Sequence, residues 1–463
     1  MLFRACLGKL GNAVLPVVLL VLLGSCRDTA PRAPKQEPDG VVRTVTVDTA
    51  TRFQTMSGWE AVAQVGQDER GYATFQQAAL FDAAVNDLGI NRLRLELRAG
   101  AENSVDYFGE LRSGKRVDWA AVRYATVNDN ADPSVLNAAG FHFTELDDTV
   151  ERILIPLRDR LLARGERLYV NLCYVAFESP QGYVHEEPAE YAELMLAAFQ
   201  HLQDKYQLVP DAVEVILEPD NTPMWRGALI GRAIVATASR LNTAGFRPDF
   251  IGPSNTSMAN AVRYFDEMIQ VPGVSALLKE ISYHRYGGVS DANLRKLSER
   301  AKQYGMRTAM LEHIGSDVDD LYKDVTLGHA SGWEQFTLSY PASDNGAQYY
   351  TWENGAPVLS ESARSLRQYF RYVRLGAVRV AASSESPTVR PVAFRNTNGG
   401  MAVILHLATG GDLVVRGLPS GSYGASLTGG DRTGQELGVF STSANGEVHF
   451  SVPFPGVATL YRK

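Results

Sequence analysis

From residue 58 onward the chain alternates short β-rich runs with longer stretches of helical periodicity, and no other feature narrows its fold as much. The candidate strands are Gly58 to Ala63, Arg92 to Leu97, Leu168 to Tyr174, Val213 to Glu218, Asp249 to Gly252, Ile281 to Tyr286, Arg307 to Glu312 and Gln348 to Glu353. Between them lie amphipathic stretches such as Thr74 to Leu88, Asp147 to Arg164, Pro188 to Tyr206, Arg226 to Ala244, Asn260 to Ile269 and Asp291 to Tyr304. Eight β/α alternations over roughly 300 residues predict a (β/α)8 TIM barrel. The interval Gly100 to Asp147 is longer than a crossover helix requires and rich in Asn, Asp and Gly, so it is expected to form a large loop over the barrel mouth.

After Ser365 to Arg374, which reads as the last barrel helix, the texture changes. Ala377 to Val380, Pro391 to Arg395, Met401 to Leu407, Asp412 to Val415, Glu447 to Val452 and Ala458 to Tyr461 are short β-rich runs between Gly, Asn and Ser turns. They predict a C-terminal all-β sandwich. Val41 to Asp48 alternates as a strand ahead of the barrel and is expected to pair with that sandwich. The expected divisions are a signal at 1–25, a tether at 26–40, the sandwich strand at 41–50, the barrel at 51–374 and the sandwich at 375–463.

The N-terminus bears on location. Arg4 and Lys9 precede an apolar stretch from Ala13 to Leu23, shorter than the roughly 20 residues that span a bilayer and laid out like a secretory signal. Leu23-Gly24-Ser25-Cys26 resembles the lipobox of bacterial lipoproteins, which implies cleavage before Cys26 and a diacylglycerol on its sulfur; the alternative is a plain signal peptide with a chance cysteine. Pro31, Pro34 and Pro38 among small and charged residues suit a flexible tether. The expectation is a protein of the bacterial cell envelope, membrane-attached through its N-terminal lipid and monomeric. Cys173 then stands alone inside an apolar run and reads as a packing residue, leaving the core to hold the fold without disulfides.

With 45 Lys plus Arg against 52 Asp plus Glu and no basic block, a nucleic-acid partner is disfavoured. No His, Asp or Cys cluster has metal-ligand spacing and no Gly-rich phosphate loop follows a strand, so neither a metal nor a cofactor is expected.

Barrel chemistry sits at the C-terminal ends of the strands. Two of the runs end in glutamate: Val213-Glu214-Val215-Ile216-Leu217-Glu218, followed by Pro219, and Arg307-Thr308-Ala309-Met310-Leu311-Glu312, followed by His313. A carboxylate closing an apolar strand is costly to bury unless it faces the mouth, and strands nearly half a barrel apart can bring two of them together across the axis. Two facing carboxyl groups are the minimal equipment for cleaving a glycosidic bond.

Glutamates ending the fourth and seventh strands resemble those of clan A glycoside hydrolases, and the two-domain layout is most similar to glycoside hydrolase family 30. Phe53-Gln54-Thr55-Met56-Ser57-Gly58-Trp59 resembles that family's entry into its first strand, and Gly89-Ile90-Asn91-Arg92-Leu93-Arg94 its second-strand segment. The stretch from Tyr369 to Val380 is similar to its link from last helix to sandwich, and Val452 to Leu460 to its closing strand. The resemblance implies Glu218 as general acid/base, Glu312 as nucleophile of a retaining enzyme, and Arg94 as the arginine held near the nucleophile. It also implies His284 or Tyr286 bonding the nucleophile or the sugar, and Trp352 flooring the subsite of the reacting sugar. Trp59 and Trp225 are further candidate stacking platforms for sugar faces.

One departure stands out. The clan places Asn before the acid/base glutamate to bind the sugar 2-hydroxyl, whereas here that residue is Leu217, which implies an altered substrate, a substitute such as Asn171 or Asn221, or weakened catalysis. Glu178 reads as a loop charge, Glu353 as a bystander to Trp352, and His313 as a structural residue pointing away from the axis. The functional expectation is a retaining β-glycosidase acting on an extracytoplasmic polysaccharide or glycoconjugate. The alternatives are a non-catalytic surface glycan-binding lipoprotein and a transglycosylase on the same scaffold. A carbohydrate is the partner in every case.

Overall fold

The computed structural model describes residues 42–66, 74–177, 184–340 and 344–463, with backbone only at 74–77. Cys26, the tether and Glu178 lie outside the described residues.

Among the described residues the strands are β1 Arg43–Thr55, β2 Gly58–Val62, β3 Arg92–Arg98, β4 Tyr169–Val175, β5 Ala212–Glu214, β6 Asp249–Ser257, β7 Leu278–Gly287, β8 Arg307–Met310, β9 Ala330–Ser339, β10 Gln348–Glu353 and β11 Ala356–Leu359. The C-terminal strands are β12 Val378–Ser384, β13 Val389–Arg395, β14 Met401–Leu407, β15 Gly411–Arg416, β16 Ser422–Gly429, β17 Arg432–Ser441, β18 Val448–Val452 and β19 Gly456–Arg462. β2 to β9 pair in order, all parallel, and β9 closes on β2. This is the eight-stranded barrel the alternation predicts.

The eighth barrel strand is β9, not the expected Gln348 to Glu353. That run is β10, which pairs with β9 from outside and turns back into β11. β9 escapes a reading for apolar runs because Gly332, Glu334 and Gln335 interrupt Trp333 and Leu338, although nine of its ten residues are buried. Parallel strands are normally near-continuous apolar runs; β9 departs from that pattern because its inward face carries charge.

β3 shows how the barrel is built. In Arg-Leu-Arg-Leu-Glu-Leu-Arg the leucines 93, 95 and 97 enter the core between sheet and helices, while Arg92 and Arg94 reach across the interior to Glu280 and Glu312. The period-two alternation of a strand sorts the two sets. The helix before it ends at Gly89, with φ +108°, where an added Cβ would lie 2.3 Å from the Phe370 carbonyl oxygen. Only glycine allows this approach of the last barrel helix, Glu361–Phe370. Asp291–Tyr304 begins with Ser290 Oγ accepting from the Asn293 amide and ends at Gly305 in the left-handed region, the expected start and stop of such a helix.

The interval Gly100 to Asp147 is more ordered than a loop. It holds the short helices Tyr107–Arg112 and Trp119–Val122, joined by an edge-on Phe108–Trp119 contact at 5.2 Å.

The remaining nine strands form one sheet in the order β17-β16-β19-β14-β13-β12-β1-β15-β18. Its ends, β17 and β18, meet, so it folds over a core that includes Val45, Val47, Val403, Leu405, Leu413, Leu427 and Phe450. β1 runs antiparallel to β12 and parallel to β15, so the N-terminal strand completes this β-sandwich. Tyr369 on the last barrel helix bonds His406 of β14 at 2.8 Å, joining the two layers.

Candidate active site

The segment following β5 leaves the strand ladder after Glu214 yet stays held by its neighbours. Val215, Leu217 and Glu218 donate their amides to the carbonyls of Ile251, Tyr174 and Ser254. Glu218 then turns into the left-handed region, φ +49°, a conformation that costs a non-glycine residue about 1–2 kcal/mol. Pro219–Asn221 follows as a tight turn that returns the Asn221 side chain to the carboxylate. Strain retained at such a point marks a position that the surroundings over-determine.

Both oxygens of Glu218 are held. His284 Nδ1 lies 2.9 Å from Oε1, and Asn221 Nδ2 donates to Oε2 at 2.8 Å. Across the mouth Glu312, 7% exposed, accepts from Arg94 Nη2 at 2.6 Å and from the Tyr286 hydroxyl at 3.1 Å. Arg94 Nη1 also donates to the Leu311 carbonyl at 2.9 Å, which fixes the guanidinium against the strand that carries the glutamate. Glu218, His284 and Glu312 bring one ligating atom each within 4.8 Å of one another. The two carboxyl groups therefore face each other closely across the mouth.

Burial raises Glu312 above the usual carboxylate range, with Arg94 and then His284 pulling the other way. Burial likewise disfavours charge on His284, but its bond to Glu218 and the charge of Glu312 outweigh it and raise the imidazole. Burial, reinforced by Glu312, pushes the Tyr286 phenol up, so it remains a donor to the carboxylate.

The Glu-His-Glu group is a potential metal-ligand set that spacing along the sequence does not reveal. Its ligating atoms already bond to one another, to Asn221, to Tyr286 and to the cationic Arg94, whose charge opposes that of a bound cation.

Other sequence candidates lie elsewhere. Asn171 is fully buried on β4 and donates to Glu60 at 2.9 Å and Glu214 at 2.7 Å, so it belongs to the barrel interior and is no substitute for a sugar-binding asparagine. Asn221 serves Glu218 itself. Trp352 sits on β10, one strand outside the barrel, where its Nε1 bonds Ser339 Oγ at the end of β9 at 3.0 Å. Glu353 beside it is exposed. Trp59 and Trp225 are wholly buried and offer no sugar platform. The first stacks on Phe370 and donates to the Val373 carbonyl, and the second packs against Tyr191 and Tyr174. His313 lies against the Tyr286 ring and bonds Ser316 Oγ at 2.7 Å. Cys173 is fully buried, and burial raises its thiol, so it is a packing residue.

Leu217 is 6% exposed and packs with Tyr124, Cys173, Val175 and Phe177. Tyr124 comes from the long insertion, and its hydroxyl accepts from Arg98 at 3.2 Å. Beside Glu218, then, the wall is apolar and part of it is supplied by the insertion.

The interior below the carboxylates holds charges that the search of strand ends missed. Arg92 pairs with Glu60 and Glu280; Arg94 pairs with Glu312, at 3.2 Å with Glu334 and at 4.0 Å with Glu96. Burial alone would raise Glu280, yet Arg92 and Arg307 prevail and hold it at about 2. For Glu60 burial wins over Arg92 and pushes it up to about 7. The available signal was the spacing of Arg92, Arg94 and Glu96 on alternate positions of one strand, which puts cations inside and calls for acidic partners on the others.

No known family model matches the chain. Solved structures do match its fold. The catalytic domain of a family 30 xylanase C from Talaromyces cellulolyticus superposes with a TM-score of 0.65 at 15% identity, covering 91% of this chain and 100% of that one. An endo-beta1,6-glucanase matches with a TM-score of 0.61 at 15% identity over 90% and 94%. A family 39 enzyme from Xanthomonas axonopodis pv. citri matches with a TM-score of 0.54 at 14% identity over 93% and 99%. Barrel and sandwich together have the fold of family 30 and related clan A glycoside hydrolases.

Proposed function

We propose that the chain is a retaining glycoside hydrolase. The observation that carries this reading is the facing pair Glu218 and Glu312, close together at the mouth, each held by its own set of partners. Glu218 delivers a proton to the departing oxygen while a Glu312 oxygen bonds to the anomeric carbon, breaking its bond to the leaving group. Glu218, now ionised, takes a proton from a water that displaces Glu312. Arg94 and Tyr286 stabilise the nucleophile's charge and fix its direction; Asn221 and His284 fix the acid. A fold shared with enzymes named for xylan and for β1,6-glucan supports a polysaccharide or glycoconjugate as substrate. The Cys26 motif supports a lipid-anchored chain of the cell envelope.

The test is incubation with activated 2-deoxy-2-fluoro glycosides followed by intact-mass and peptide mass spectrometry. The expected result is one covalent sugar adduct on Glu312. Absence of adduct together with absence of hydrolysis across a broad polysaccharide panel replaces this reading by the glycan-binding one.

A further inference from the structure

Arg94 is fully buried and stands among three carboxyl groups: Nη2 meets Glu312 at 2.6 Å and Glu96 at 4.0 Å, and Nη1 meets Glu334 at 3.2 Å. Glu312 is the group whose charge must vanish during a double displacement, because ester formation with the sugar makes it neutral. A buried guanidinium that loses its close counter-ion is destabilised strongly, and Glu96, at 4.0 Å from Nη2 and shared with Arg98, offers only a more distant charge. Glu334 is placed to prevent this. It is wholly buried on β9, and neither of its carboxyl oxygens makes a hydrogen bond with the described residues, so its 3.2 Å approach to Arg94 Nη1 is its one close polar contact among them.

Resting on the retaining reading, we propose that Glu334 is a positioning residue, the alternate counter-ion of Arg94, which carries the negative charge opposite the guanidinium while Glu312 is esterified. The groups that face Glu334 are Arg94 from β3, Glu60 from β2, Glu312 after β8 and Glu214 from β5. Glu60 is its register partner across the β2–β9 pairing. Like charges facing each other across this pairing do not both ionise, so Glu60 and Glu334 share a proton. In the free protein, burial pushes Glu334 well above the usual range, and Arg94 is committed to ionised Glu312.

In the first displacement the bond from anomeric carbon to leaving oxygen breaks and that from the carbon to Glu312 forms. The Glu218 proton goes to the leaving oxygen. Glu334 then yields its proton to neighbouring Glu60, its register partner, and takes over the pairing with Arg94. The number of protons in the buried group is unchanged. Hydrolysis of the ester returns the charge to Glu312 and the proton to Glu334.

The experiment compares wild type with Glu334→Gln, using dinitrophenyl 2-deoxy-2-fluoro-β-glycosides of glucose, xylose and galactose. It follows the rate at which the adduct forms and the rate at which the isolated adduct reactivates. The proposal expects opposite changes in the two half-reactions. Trapping is no faster in the variant, while reactivation speeds up by about tenfold or more, because the adduct now leaves the arginine only Glu96 at 4.0 Å, a deficit that the second step relieves. A merely structural residue would slow both steps. Reactivation unchanged or slowed in a folded variant overturns the proposal. If Glu334→Gln does not fold, Glu334→Asp, which draws the carboxylate back by one methylene, carries the same comparison. Absence of adduct in wild type with all three probes overturns the retaining reading itself, and this proposal with it.

Discussion

Arg94 lies 2.6 Å from Glu312 through one guanidinium nitrogen and 2.9 Å from the Leu311 carbonyl through the other, so arginine and glutamate are locked as one rigid unit. A lysine supplies a point charge without this fork. Arg94→Lys is expected to lower kcat about a hundredfold or more, the cost of losing one preorganised charge-stabilising contact, with little change in thermal midpoint. Steady-state kinetics on an activated aryl glycoside beside a melting curve checks this; equal loss of stability and activity would contradict it.

The acid limb of the pH profile should lie above that of an ordinary glutamate. Glu312 attacks only when ionised, and burial holds its proton to higher pH despite Arg94 and His284. Activity is therefore expected to fall, as pH drops, before 4.5, the ordinary value for a glutamate, is reached. Arg94→Met removes the opposing cation and should move the limb further up. A profile of kcat/KM against pH reads both.

Glu280 links folding to acid. Its folded value of about 2 is below the ordinary 4.5, so its contribution to stability is complete above 4.5 and is lost as pH falls through that window. Glu280→Gln takes away Arg92's bidentate partner and should destabilise the fold by about 3–5 kcal/mol at neutral pH. It should also flatten the stability loss between pH 4.5 and 2. Urea unfolding at several pH values measures both effects.

Leu217→Asn puts an amide where the clan has one but where this protein has Tyr124, Cys173, Val175 and Phe177. The amide meets no polar partner in that apolar group, so the variant is expected to lose about 1–3 kcal/mol of stability without a gain in kcat. Denaturant unfolding and kinetics on the same substrate decide this; a gain in activity would show that the wall opens to the sugar.

His284 and Asn221 have separable duties on Glu218. Glu218→Gln should cost about a hundredfold or more with a poor leaving group, the usual range for general acid catalysis. It should cost far less in the glycosylation step with a dinitrophenolate, which departs without a proton. His284→Ala should reproduce part of the first effect while still permitting trapping of Glu312. Comparing the leaving-group dependence of the variants tests these roles.

Much of the architecture was legible in the chain because it rests on local periodicity. Alternating Leu93, Leu95 and Leu97 mark β3, Ser290 and Gly305 bracket a helix, and the texture after Arg374 separates barrel from sandwich. The placement of Glu218 and Glu312 could be read the same way, since a carboxylate closing an apolar run has few places to go. Trp352 misled because β10 has the composition of a barrel strand and β9 does not.

What the sequence by itself determined was thus the order of elements, the two-layered organisation and the identity of the paired glutamates. Only the tertiary structure decided which strand closes the barrel, that Asn171 serves Glu60 and Glu214 rather than a sugar, and that Arg94 answers to both Glu312 and Glu334 as well as to Glu96 on its own strand. The reason is physical. Periodicity reports which face of a segment is buried, but the partner of a buried charge lies on another strand, 218 residues away for Arg94 and Glu312, and is chosen only when the barrel closes.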